Sequence, residues 1–557
     1  MSNDSNGDRP AETRSGLDRR NFLGLTALGT ALGFAGQLTA DQNNPPARPE
    51  LLPSKPFELE EITVSELQRG LESGRFTARS ITDAYLSRID AIDKRGPAIN
   101  AIIEINPDAI AVAEELDRER KAGRSRGPLH GIPVVIKDNI DTADRMHTTA
   151  GSLALEQSIA ARDAFVVKRL RDAGAVIVAK TNLSEWANFR STHSSSGWSG
   201  RGGQTRNPYV LDRNPCGSSA GTGTAVSANL AAIGVGTETD GSIVCPSSAS
   251  GLVGIKPTLG FISRTGIIPI AHSQDTAGPM ARTVTDAAIL LGALTGIDSL
   301  DSVTAKSRQK THPDYTKFLE PGGLKGARLG VARKYFGFND RVDELMNDAI
   351  AVMKKEGATI VDPADMETTG KYDESEFEVL LFEFKAGINK YLAGLSSHVR
   401  TRTLADLIEF NEENRDREMP YFGQEIFLKA EKKGPLTSPD YRKALAKNHR
   451  LSRSQGIDAT LAKYKVDAMV APTGGPVWPT DLINGDHYSG GYSTASAVSG
   501  YPHITVPAGF VLGLPVGISF FAGAWSEPKL IQLAYAFEQA TTVRRAPKFL
   551  ATAPLTA

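Results

Sequence analysis

From about residue 60 onward the chain alternates two hydrophobic rhythms. Ile81, Ala84, Tyr85 and Ile89 fall on one face of a 3.6-residue period, and Thr77 stands just before them. A hydroxyl there can accept from the first unpaired N–H groups, so the spacing predicts a capped helix. Ile132 to Ile136 and Ala175-Val176-Ile177-Val178-Ala179 are short unbroken apolar runs, which predict buried strands, and Ala327 to Ala332 predicts another. Residues 338–465 are more charged and helical in pattern, interrupted by Pro420, Pro435 and Pro439. A further helix is expected from Thr224 to Ala232. The segment before it, Thr205 to Pro215, is polar, contains Pro208 and Pro215, and carries no strand pattern. Helices alternating with buried strands predict an α/β fold.

The first residues read as an address rather than as part of that fold. Asp18-Arg19-Arg20-Asn21-Phe22-Leu23 resembles a twin-arginine export signal, and Leu23 to Leu38 supplies a modestly apolar, Gly- and Ala-rich stretch. That stretch is too short, and too often broken by Thr and Gly, for a membrane span. The organisation expected is an export signal over residues 1–40, a Pro-rich linker over 41–59 and one catalytic domain over 60–557. Delivery to the periplasm or outside the cell follows, with no stable membrane insertion of the mature protein.

Composition removes several classes of function. A net charge of −1, from 63 basic and 64 acidic residues, gives no electrostatic footprint for nucleic acid or an anionic membrane. No Cys-x-x-Cys or His-Glu-x-x-His spacing occurs and the nine histidines are scattered, so neither metal nor organic cofactor is expected. His130 and His193 are read as packing or hydrogen-bonding residues. The two cysteines, Cys216 and Cys245, form no disulfide framework and are expected to be buried free thiols.

The chemistry concentrates in two Gly-rich turns, Gly217-Ser218-Ser219-Ala220-Gly221 and Gly236-Thr237-Glu238-Thr239-Asp240-Gly241-Ser242-Ile243. Glycine lets backbone N–H groups converge on a developing oxyanion, and a serine in the same turn can reach the carbon under attack. A serine needs a base, and a lysine serves only when burial or nearby positive charge lowers its pKa. Lys137, at the end of the Ile132–Ile136 run, is the candidate; Lys256 is a second. Gly217 to Gly221 also fits Gly-x-Ser-x-Gly, the nucleophile elbow of α/β-hydrolases, which requires a strand immediately before it.

These residues resemble the amidase signature family. Gly131-Ile132-Pro133-Val134-Val135-Ile136-Lys137-Asp138-Asn139 matches its lysine motif, Ser218 its bridging serine, preceded by a cis peptide bond in the family, and Ser242 its nucleophile. Lys180-Thr181-Asn182 with Glu185, Gly254-Ile255-Lys256-Pro257-Thr258 and Ile504-Thr505-Val506-Pro507-Ala508-Gly509 with Gly513-Leu514-Pro515-Val516-Gly517 extend the likeness over roughly residues 60–540. The resemblance implies a large mixed twisted β-sheet flanked by helices. It also implies a Ser-Ser-Lys set of Ser242, Ser218 and Lys137, with Lys256 structural and Ser219 supporting. Oxyanion donors are expected from Thr239, Asp240, Gly241 and Ser242. The family commonly has glycine where this chain has Asp240; aspartate tolerates positive φ, and its carboxylate is expected to face away or be hydrogen-bonded. Glu238 to Pro246 is similar to bacterial peptide amidases, which implies that small-molecule or peptide amides are substrates, the C-terminal amide of peptides first. Aryl or fatty amides are the alternative. An amidase subunit of a glutamine-dependent transamidation complex is the other, which the export signal disfavours.

Overall fold

The computed structural model describes residues 56–554. The expected export signal and the expected linker up to residue 55 lie outside the described residues. Phe57 and Leu59, expected in the linker, already belong to the fold: the Phe57 ring sits 5.6 Å from that of Tyr85, and Leu59 is buried in the core.

Among the described residues thirteen strands follow one another: β1 (Ile102–Ile105), β2 (Pro133–Lys137), β3 (Val176–Thr181), β4 (Trp198–Ser199), β5 (Gly203–Gln204), β6 (Ile233–Glu238), β7 (Val253–Lys256), β8 (Thr276–Ala281), β9 (Arg328–Val331), β10 (Thr359–Val361), β11 (Ala468–Pro472), β12 (His503–Val511) and β13 (Leu514–Phe521). β4 and β5 pair only with each other. The other eleven form one mixed sheet in the order β1-β3-β2-β6-β8-β7-β12-β13-β11-β9-β10. β2 runs parallel to both β3 and β6, and β6 meets β8 antiparallel.

The unbroken apolar runs are explained by helices on both faces of this sheet. Val134 and Ile136 enter one core, with Leu290, Leu291, Leu533 and Phe537 from helices Val284–Leu294 and Glu527–Thr541. Val135 enters the other, with Ala113 of helix Ala109–Lys121 and Ala225 and Val226 of helix Ala220–Ser227. Because side chains alternate along a strand, Lys137 shares the face of Val135 and lies beneath the helix that begins just after Ser218.

Local expectations hold where the chemistry is local. Thr77 caps helix Ala78–Arg88 through a bond from Ser80 N at 3.0 Å, and Ile81 and Tyr85 are buried. Pro439 opens helix Pro439–His449, where its missing N–H costs nothing. The helix expected over Thr224–Ala232 lies instead at Ala220–Ser227. Asn229, with φ 59°, follows its end, and buried Leu230, Ala231 and Ala232 lead into β6 rather than continuing the helix. Among the described residues no helix is long and apolar enough to cross a membrane.

The strands around the site pack at backbone contact. A Cβ on Gly278 in β8 would stand 2.0 Å from Ile255 O, whereas one on Gly322 would meet nothing within 4 Å. Gly278→Ala is therefore expected to destabilise the protein by about 1–3 kcal/mol and Gly322→Ala to be near neutral. Thermal unfolding of the two variants checks this; equal midpoints would mean that the sheet has slack at this position.

Candidate active site

β2 and β6 are neighbours and end side by side, which brings Lys137 against Thr237. Lys137 is fully buried, with Nζ 2.7 Å from Ser218 Oγ, 2.9 Å from Thr237 Oγ1 and 3.2 Å from Thr237 O. Asn139 Nδ2 donates to the same Thr237 hydroxyl at 3.0 Å. Burial brings the Lys137 pKa down to about 7, against the opposing pull of Glu238 and Asp275. Lys256 is also fully buried, and burial lowers its pKa to about 8. Its Nζ donates instead to the carbonyls of Tyr501 at 2.5 Å and Ser496 at 3.1 Å, so its bonds hold other loops together.

The Gly217–Ser218 peptide bond is cis. Ser218 is fully buried, and Ser242 is 8% exposed. Ser219 ties the two turns: its N–H donates to Ser242 O at 3.2 Å, its hydroxyl donates to Thr237 O at 3.1 Å, and Thr237 N–H donates back to it at 3.2 Å. A covalent link joins the same two segments. Cys216 and Cys245, expected as free thiols, form a disulfide with Cα atoms 6.0 Å apart. Residues 29 apart in sequence are neighbours here because the serine turns pack on one another, a proximity that spacing alone does not reveal. Closing a loop of that length is worth about 3–4 kcal/mol in the chain-entropy account.

The turn between β6 and helix Val244–Ala249 is held from several sides. Glu238 Oε2 accepts from Ile243 N at 2.7 Å and Val244 N at 3.1 Å, a carboxylate at the start of a helix where unpaired donors gather. Thr239 Oγ1 donates to Asp275 Oδ1 at 2.6 Å, and Gln274 Nε2 donates to Thr239 O at 3.2 Å. Gly241 carries the left-handed φ of 77°, while Asp240 has no positive φ, so the aspartate needs no backbone accommodation. Its Oδ2 accepts from Thr494 Oγ1 at 2.7 Å, and burial raises its pKa. The N–H groups of Thr239, Asp240, Gly241 and Ser242 donate to no acceptor among the described residues. Four adjacent free donors next to a serine can stabilise an oxyanion.

A cavity of about 290 Å³ is lined by Gly217, Gly241 and Cys245 together with Asn188, Trp478 and Tyr488. The wall is braced by Asp486, which accepts from Ser196 N at 2.9 Å and Trp478 Nε1 at 3.2 Å. No strand of the large sheet leads into Gly217, so the requirement of the nucleophile elbow is unmet. His130 is buried with Nε2 2.9 Å from Leu116 O, and His193 is exposed.

Sequence reasoning brought Lys137, Ser218, Ser219 and residues 239–242 together, and the fold does the same. It passed over Thr237, Asn139, Glu238, Gln274 and Thr494 as site residues. Asn139 lies two residues past Lys137, and Glu238 stands ahead of a helix start, a visible capping signal. Gln274 and Thr494 arrive from distant segments with no local signature.

Comparison with known proteins agrees with this geometry. The family model described as Amidase matches residues 80–531. The chain is 44% identical to a probable amidase of Arabidopsis thaliana, over 89% of this chain and 93% of that protein. The structure of native peptide amidase from Stenotrophomonas maltophilia superposes with a TM-score of 0.84 at 50% identity, covering 89% of this chain and all of the other. A structure of the peptide amidase PAM in complex with the competitive inhibitor chymostatin gives 0.85 at 50% identity, covering 88% and 100%. The match spans both serine turns and the lysine strand, and the chain belongs to the amidase signature family of hydrolases acting on amides.

Proposed function

We propose that this protein removes the C-terminal carboxamide of peptides through an acyl-enzyme on Ser242, with Ser218 and Lys137 as its proton relay. The observation that carries the relay is the 2.7 Å contact between Lys137 Nζ and Ser218 Oγ, with both side chains fully buried. A neutral amine there can draw the Ser218 proton while Ser218 draws that of Ser242, so the Ser242 oxygen attacks the amide carbon. The free N–H groups of residues 239–242 receive the carbonyl oxygen as it becomes negative. Ser218 then gives its proton to the departing nitrogen, since an amide anion leaves very poorly. Water repeats the sequence on the ester and releases the acid. The preference for peptide amides rests on the likeness to solved peptide amidases and on a cavity lined by Asn188, Trp478 and Tyr488, which offers side-chain amide and aromatic surfaces to a peptide.

Purified mature protein should release ammonia from a peptide amide without any partner, and do so faster than from matched anilides or long-chain amides. The reverse preference would favour an aryl or fatty amidase. Ser242→Ala should abolish acyl-enzyme formation. Lys137→Ala and Ser218→Ala should each lower kcat by roughly a thousandfold, with strongly non-additive double variants. A fluorophosphonate adduct found by mass spectrometry on Ser219 rather than Ser242 would overturn the assignment.

The pH profile tests the base directly. Only the unprotonated amine can accept a proton, so activity should be present above about pH 7 and fall away as pH drops through the Lys137 pKa of about 7. A profile flat from pH 5.5 to 8.5 would count against Lys137 as base.

The proposed export route is tested by replacing Arg19 and Arg20 with Lys, because the arginine pair is read by a receptor. Precursor should then accumulate in the cytoplasm. Normal delivery would refute the signal.

A further inference from the structure

The Cys216–Cys245 disulfide does more than tie the two serine turns together, because both of its cysteines also line the cavity beside them. Cys245 is half-buried, whereas Cys216 is only 5% exposed. Opening a disulfide requires an incoming thiolate to reach one sulfur while the other departs. A small thiol entering the cavity therefore meets Cys245 first.

The backbone at the other cysteine is held in a costly shape. Cys216 has a left-handed φ of 57°, which a residue with a Cβ keeps only when its surroundings impose it. Its N–H donates to Asn214 Oδ1 at 2.8 Å, and the disulfide fixes its side chain. Among the described residues one hydrogen bond, from Ser219 N to Ser242 O at 3.2 Å, joins residues 216–219 directly to residues 242–245. The disulfide is the other direct tie between those segments. Without it, Cys216 is free to leave the left-handed region and to carry Gly217 and Ser218 with it. A misplacement of about 1 Å between reacting groups costs on the order of a hundredfold in rate.

We propose that the Cys216–Cys245 disulfide is a thiol-reactive modification site in the cavity wall, and that opening it slows the enzyme. The thiolate of a small thiol attacks Cys245 Sγ, a mixed disulfide forms there, and Cys216 leaves as a thiolate that takes a proton from water. A second thiol then displaces the first from Cys245, releasing the oxidised thiol and leaving two cysteines, so two electrons pass from two thiols to the protein disulfide. An oxidised thiol reverses the sequence. A thiol-rich compartment therefore holds the enzyme in its slow state and an oxidising one in its fast state. The effect on rate rests on the roles proposed for Ser218 and Ser242; the exchange itself does not.

The exchange is tested by treating the native mature protein with reduced glutathione, quenching with acid, capping free thiols with N-ethylmaleimide and mapping the peptides by mass spectrometry. Glutathione should be found on Cys245 and the cap on Cys216. Dithiothreitol, which reduces without leaving an adduct, should lower kcat roughly tenfold or more with KM changed by less than about threefold, because the fault lies between the serines rather than in substrate binding. Oxidised glutathione should restore kcat, and the reduced protein should keep its native near-ultraviolet circular dichroism. The double variant Cys216→Ser, Cys245→Ser should show the low kcat of the reduced protein and no response to dithiothreitol. The proposal is overturned if glutathione enters only in denaturant, if it is found on Cys216, if the reduced protein keeps its kcat, or if kcat is lost only together with the native circular dichroism. Adduct mapping involves no turnover and kcat is read on whichever amide the protein cleaves fastest, so a failure of the peptide-amide reading leaves both measurements standing.

Discussion

The burial of one amine sets the terms for everything around it. Lys137 is held near pH 7 rather than its usual 10.5, so its site disfavours the ammonium by on the order of 5 kcal/mol relative to water. A typical hydrogen bond contributes only about 1 kcal/mol net, so contacts to Thr237 and Ser218 do not restore the charge. Desolvation wins, and it wins because helices cover both faces of the sheet at the end of β2. Any gap that admitted water to Nζ would return the lysine toward its ordinary, protonated state and end the role of base proposed for it.

A neutral lysine is useful only if its partners stay in place, and the segment carrying Ser242 is fastened from several directions. The Cys216–Cys245 disulfide, the Ser219 N–H to Ser242 O bond and the Glu238 carboxylate at the start of helix Val244–Ala249 each fix it to a different neighbour. Thr239 is further held by Asp275 and Gln274. Donors fixed before the substrate arrives need no reorganisation when charge develops, which is the physical value of this fastening. The same segment lines two cavities, Asp240 and Gly241 one of them and Thr237, Glu238 and Thr239 the other.

Much of this was legible along the chain. The apolar run before Lys137 marks a strand covered on both faces, because a half-exposed strand would alternate. The glycines and serines of residues 217–221 and 236–242 mark backbone turns with exposed donors, and the capping threonine at 77 marks a helix start. These signals are local: each depends on a few neighbouring residues whose preferences survive in any fold. The helix near residue 224 was misplaced by four residues at its start because the small residues Ala220 to Gly223 carry no helix signal of their own, and by five at its end because the break at Asn229 lies inside a mostly apolar stretch.

The sequence by itself determined the residue types of the proposed catalytic set, the strand that delivers Lys137 and the alternation that makes the fold α/β. Tertiary structure alone decided that Cys216 and Cys245 are bonded, that Asp240 points to Thr494, that Gln274 braces Thr239, and that a second cavity backs onto Thr237. It decided, too, which buried lysine faces a serine: Lys137 and Lys256 both end strands in apolar surroundings, yet only Lys137 lies against Ser218. Those outcomes are relations between segments tens to hundreds of residues apart. They are fixed by how the sheet orders β2, β6, β8 and β7 and by what packs across their ends, and no local preference encodes that.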